Sequence, residues 1–105
     1  MDKFALETAT FQGPLEALLG LIEARKMPIS EVSLAEVCDS YLKYIESLPE
    51  MPLNETSQFI LVASTLLLIK SRSLLPTLEL SNDEQESVAE LERRLARYAV
   101  FRKAA

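Results

Sequence analysis

The chain offers few residues with which to do covalent or metal chemistry. Its 105 residues include no histidine, one cysteine and two glycines. Without imidazole there is neither a histidine-based catalytic triad nor the commonest transition-metal ligand. Cys38 alone cannot complete a zinc site, and its spacing places it on the apolar side of a helical segment, where a free thiol packs rather than reacts. Two glycines do not suffice for the usual phosphate-cradling loops. Asp83, Glu84, Glu86 and Glu90 form a carboxylate cluster, but at the start of a helix such residues complement the positive end of the helix dipole. Lys70 and Arg72 could contact a phosphate; near the end of a helix they read more simply as solvated cations in a favourable place. The expectation is a protein with no catalytic residues, no metal and no cofactor.

Composition narrows the partners. The chain is 49% hydrophobic and 26% charged, the balance of a soluble globular domain of one modest core. Eleven basic residues against sixteen acidic give a formal charge of -5, which argues against a nucleic-acid surface, since phosphate contacts need clustered Lys and Arg. Met1-Asp2-Lys3 leads into no apolar signal sequence, and a lone cysteine fits a reducing cytoplasm.

Periodicity predicts an all-α fold: a small bundle of four helices over about 14–26, 33–48, 54–75 and 82–104, preceded by a short extended segment over 1–12. Gly13-Pro14 opens the first helix, with proline at the position where its missing N–H is not needed. Leu15, Leu18, Leu19 and Ile22 then share a face. Arg25 and Lys26 sit near its C-terminus, and Pro28 ends it. Ser33 and Glu36 have capping-box spacing for the second helix. Leu34, Val37, Cys38, Tyr41, Leu42, Tyr44, Ile45 and Leu48 line one side of that helix; Glu36, Asp39, Ser40, Lys43 and Glu46 line the other. Asn54 is the expected cap of the third helix, and Pro76 its stop. Ser81 and Glu84 repeat the capping-box spacing before a fourth helix, whose stripe is Val88, Leu91, Leu95, Tyr98 and Ala99. The pattern is still running at Arg102-Lys103-Ala104-Ala105, which suggests the N-terminal part of something longer.

The third helix is the anomaly. From Phe59 to Ile69 only Ser64 and Thr65 are polar. That run is about half of the roughly 20 apolar residues that cross a bilayer, and Lys70 follows it directly, so no membrane span is expected. Phe59, Val62, Leu66 and Ile69 form one stripe, Ile60, Leu67 and Leu74 a second, and Leu61, Leu68 and Leu75 a third. A helix apolar all round is buried on every side, yet three partner helices can hardly enclose it. Either it is simply the central core helix, or another protein covers part of it.

Three segments carry a family resemblance: FQGPLEALLGLIEARKMPISEVSLAEVCDSYLKYIESL, FILVASTLLLIKSRSLLP and LERRLARYAVFRKAA. Their combination of F-x-G-P-L at 11–15, Y-L-x-Y at 41–44 and A-x-T-L-L-x-I-K-S-R-x-L-L-P at 63–76 resembles the N-terminal domain of the ScpA family, the bacterial kleisins of the SMC condensin complex. The resemblance covers residues from about 4 to 105. It implies a helical domain that joins the coiled-coil neck above one SMC head, followed by a segment held by a ScpB dimer, in a cytoplasmic complex that reaches the nucleoid through SMC. The head-capping C-terminal domain of the family is absent from this sequence. The link from Pro76 to the Ser81 cap is shorter than the acidic linker of many members, which restricts how far the fourth helix can leave the third.

With the resemblance in view, Ile60, Ser64, Leu67 and Ser71 become the expected neck contacts, spaced as a helix-in-groove anchor, with Leu61 and Leu68 as the alternative. Arg94, Arg97 and Phe101 on the fourth helix are candidates for the ScpB side. Two other readings stand beside this one. The fragment could be a self-associating helical adaptor whose spare stripe pairs with itself. It could also be a helix-turn-helix module over 30–45, a reading opposed by Glu36, Asp39 and Glu46 on the side that would face phosphates.

Overall fold

A computed structural model of the chain describes residues 13–104. The extended segment expected over 1–12 lies outside the described residues. Within them the chain forms four α-helices: α1 (Pro14–Ala24), α2 (Glu31–Glu46), α3 (Leu53–Leu74) and α4 (Asn82–Ala104). The all-α bundle expected from periodicity is the fold observed.

Local chemistry sets each boundary. Gly13 precedes α1 with φ of 105°, a conformation that costs an L-side chain dearly and glycine little, and Pro14 takes the first helical position. The helix stops at Ala24, two residues before the expected Lys26. There the amide of Lys26 bonds the Glu23 carbonyl and that of Met27 the Ile22 carbonyl. Lys26 sits at φ 56°. This is a Schellman closure with lysine in the left-handed position that glycine usually holds.

The start of α2 corrects the expected cap. Ser30, not Ser33, is the N-cap: its extended backbone presents Oγ to the Ser33 amide at 3.2 Å. Ser33 lies inside the helix and is buried. The helix therefore runs Glu31–Glu46 rather than 33–48, with the Ser47 hydroxyl donating to the Tyr44 carbonyl beyond its end. Helix α3 likewise begins one residue before Asn54, following Pro52, and no side chain caps it. Asn54 lies in its first turn. The Ser81 cap of α4 forms as expected: the Glu84 amide donates to Ser81 Oγ at 3.1 Å and the Ser81 amide to Glu84 Oε1 at 2.9 Å, the reciprocal capping box.

One core unites the four helices. Leu18, Leu19 and Ile22 of α1, Leu34, Val37, Cys38 and Tyr41 of α2, Phe59, Val62, Ala63, Leu66 and Ile69 of α3, and Val88, Leu91 and Leu95 of α4 are all buried, with Leu80 sealing the α3–α4 connection. Helices α2 and α3 form an antiparallel pair. The Tyr41 hydroxyl donates to the Phe59 carbonyl, Lys70 pairs with Asp39, and Arg72 pairs with Glu31, so position along α2 falls as position along α3 rises. Helix α4 packs on the bundle through its apolar stripe and is tied to α1 by Tyr98–Glu16 and by Arg102 with Glu16 and Glu23.

Candidate protein-interaction surface

The three apolar stripes of α3 have different fates. Phe59, Val62, Leu66 and Ile69 turn inward, joined by Ala63, whose small side chain permits close packing. The remaining two stripes stay on the outside. Ile60 is 52% exposed, Leu67 47% and Leu74 68% on one; Leu61 is 68% and Leu75 58% exposed on the other. Leu68 is the exception, half-buried against the core. Leu53, one helical repeat before Ile60, is also exposed. Its spacing of seven from Ile60 places it on the same stripe, although an Asn54 cap would put it outside the helix.

The expected neck-contact residues Ile60, Ser64, Leu67 and Ser71 thus share one exposed face of one helix, and Leu61 lies next to it. The serine between them makes little demand on a partner. Ser64 Oγ donates to the Ile60 carbonyl at 3.1 Å, and Thr65 Oγ1 similarly to the Leu61 carbonyl at 3.4 Å. Back-bonded hydroxyls keep a bond when water leaves. A buried partner helix could cover this face without orphaning the Ser64 donor.

Ion pairs join α3 to α2 beside this face. Lys70 Nζ lies 2.7 Å from Asp39 Oδ1; that bond lowers the Asp39 pKa and raises that of Lys70. Arg72 is bound to Glu31. Lys70 and Arg72, expected as solvated helix-end cations, are partly exposed and each pairs with a carboxylate of α2. Three members of the acidic cluster are engaged in the same manner. Glu84 caps α4, while Glu86 and Glu90 both pair with Arg93, and Arg93 lowers the Glu90 pKa. Cys38 is fully buried and its thiol pKa is raised by that burial.

Where α3 meets α4 the surface opens into a cleft of about 620 Å³ lined by Leu61, Val62, Thr65, Glu90, Leu91 and Arg94. Arg94, one of the ScpB-side candidates, thus faces α3. Arg97 approaches Glu90 at 3.6 Å, and Phe101 is 69% exposed beside the equally exposed Val100. The three candidates on α4 are exposed and spaced i, i+3, i+7 along one side of the helix; Arg94 also lines the cleft, while Arg97 and Phe101 border Ala96 and Val100. Val100 lies off the Val88, Leu91 and Leu95 stripe, so periodicity gives no signal for it. No helix among the described residues is long and apolar enough to cross a membrane.

Comparison with known proteins places the chain. A family model described as "Segregation and condensation protein ScpA" matches residues 21–105. Among curated relatives, the segregation and condensation protein A of Clostridium tetani is 45% identical over 85 residues, covering 81% of this chain and 33% of that protein. That of Halothermothrix orenii is 40% identical over 100 residues, covering 95% and 41%, and that of Oceanobacillus iheyensis 36% over 109 residues, covering 99% and 44%. The chain therefore spans less than half the length of these relatives. No solved structure matches it. A family model over four-fifths of the chain, from the last turn of α1 through α4, settles the assignment: the chain belongs to the ScpA family of segregation and condensation proteins.

Proposed function

We propose that this chain is the N-terminal interaction module of a kleisin subunit, not an enzyme, and that α3 docks on the coiled-coil neck of an SMC protein. The observation that carries the reading is the division of α3. One side is the core of the bundle, while Ile60, Leu61, Leu67, Leu74 and Leu75 project from the other. A helix with its second apolar face outward is an incomplete bundle, and helices of a coiled-coil neck are partners of matching geometry. Each large side chain buried there contributes roughly 1.5–3 kcal/mol before the costs of ordering and lost motion. The partners of the family extend the reading: a ScpB dimer engages the chain on the α4 side, around Arg97 and Phe101, and the complex works in the cytoplasm in chromosome condensation and segregation.

The rival helix-turn-helix reading is weakened by α2, whose exposed side presents Glu36, Asp39 and Glu46 where phosphates would lie. The test is retention of the chain by an immobilised SMC head-plus-neck protein. Wild-type chain is expected to be retained. Leu67→Glu is expected to keep its helical circular-dichroism spectrum and cooperative melt yet be lost from the matrix, because its carboxylate would be desolvated without a partner. Retention of a well-folded Leu67→Glu would exclude the Ile60–Leu67 stripe as the contact.

A further inference from the structure

We infer that the C-terminal part of α4, from Ala96 onward, is a detachable arm. A polar clasp centred on Glu16 of α1 holds it down, and opening of the clasp frees the arm while the rest of the bundle stays folded. Burial divides the helix at Leu95. Val88, Leu91 and Leu95 are buried, whereas no side chain from Ala96 to Ala104 is. Tyr98 and Ala99 alone of this part touch the core, and only at its edge. Val100 and Phe101 project outward.

The ties that hold the arm are polar. Tyr98 and Arg102 stand four residues apart on one side of α4, and both reach Glu16. The phenol donates to Glu16 Oε1. The guanidinium lies 3.6 Å from Glu16 Oε2 and also binds Glu23, two turns further along α1. Glu16 is in the first turn of α1, where the helix dipole favours a carboxylate. It is the one group that both α4 residues share. Without it the Arg102–Glu23 pair remains, and that carboxylate is half-exposed. Exposed pairs of this kind contribute little and are screened by salt.

Two grips of such different character open separately. Parting Val88, Leu91 and Leu95 from the core exposes apolar surface to water and amounts to unfolding the bundle. Parting the clasp exposes groups that water solvates, together with the edge contacts of Tyr98 and Ala99, which is the signature of a local opening. So short a helical stretch is not stable by itself, so the freed arm also loses backbone hydrogen bonds. Opening changes what the surface offers. Tyr98, Ala99, Val100 and Phe101 are consecutive apolar positions, divided in the closed form between the α1 side and solvent. In the open form one partner reaches all four. A ScpB dimer at Arg97 and Phe101 would then compete with α1 for Tyr98; that consequence alone rests on the proposed function.

The test is hydrogen exchange of the whole chain without a partner, read separately over 82–95 and 98–102. In wild type, exchange over 98–102 is expected to quicken as salt is raised, with 82–95 unchanged. Glu16→Ala should quicken exchange over 98–102 by about tenfold, the factor that loss of a charged hydrogen-bond partner implies, and leave 82–95 as in wild type. Arg102→Gln, which keeps α1 intact, should act in the same direction. Tyr98→Phe should add nothing in the Glu16→Ala background, where its acceptor is already gone. Glu31→Ala, which breaks an ion pair between α2 and α3, should leave 98–102 untouched. Equal exchange over 98–102 in wild type and Glu16→Ala overturns the proposal. So does a rise spread evenly over 82–102, which would mean that α4 opens as one piece. None of these results bears on binding to SMC or ScpB, so this reading and the proposed function fail separately.

Discussion

The hydroxyl of Tyr41 in α2 donates to the backbone carbonyl of Phe59 in α3 at 3.0 Å, inside the core. The bond ties the helix that presents the outward face to the helix that backs it. Burial also raises the phenol pKa of Tyr41 well above its ordinary value. Tyr41→Phe removes one buried donor and leaves a carbonyl that can still serve its own helix, so the expected loss is about 0.5–1.5 kcal/mol. Chemical denaturation of the two proteins measures it, and equal midpoints would mean that the bond contributes nothing.

Leu66 is fully buried at the centre of the inward stripe. Leu66→Ala should cost about 2–5 kcal/mol, the range for truncating a core leucine. A melting temperature that does not fall would contradict the inward orientation of this stripe.

Cys38 is covered by the core and its thiol is held protonated by burial. Labelling by a thiol reagent should be slow in the native protein and fast in denaturant, since thiolate and access are both required. Comparable rates in the two conditions would contradict the packing around α2.

The Lys70–Asp39 pair predicts a specific pH dependence. The Asp39 pKa is lowered chiefly by its bond to Lys70, so the pair stabilises the fold above the ordinary carboxylate range and loses that stability as pH falls through the depressed value. Asp39→Asn should therefore melt slightly below wild type at neutral pH, and the gap should close in acid. The carboxylate is largely exposed, so the effect is small and salt-sensitive. A gap that widens in acid would mean that the pair does not act as described.

Much of the fold was legible because helical period and turn chemistry agreed. The four helices, the Gly13-Pro14 start and the Ser81–Glu84 box follow from local rules. The α2 cap was misplaced because Ser30 and Ser33 both stand three residues before a possible partner. Only packing, which buries Ser33, separates them. The inward stripe of α3 could not be chosen from the wheel, where three stripes are about equally apolar. Ala63 and the α2 ties at Tyr41, Asp39 and Glu31 select it, and these are tertiary facts. Pairing of Lys70 and Arg72 with α2 was hidden for the same reason, since their carboxylates lie some 30–40 positions away in the chain.

The turn ahead of α1 makes the two glycines of this chain opposite handles for engineering. Gly13 sits at φ 105°, so alanine there meets no steric neighbour yet forces a disfavoured backbone and should lower the melting temperature. Gly20 lies exposed within α1, where an added methyl also meets nothing, so alanine should gain about 0.4–1 kcal/mol by restricting the unfolded chain. The same one-carbon change thus separates a position chosen for its backbone from one free to be improved, and Gly20→Ala offers a sturdier background in which to test the substitutions on α3.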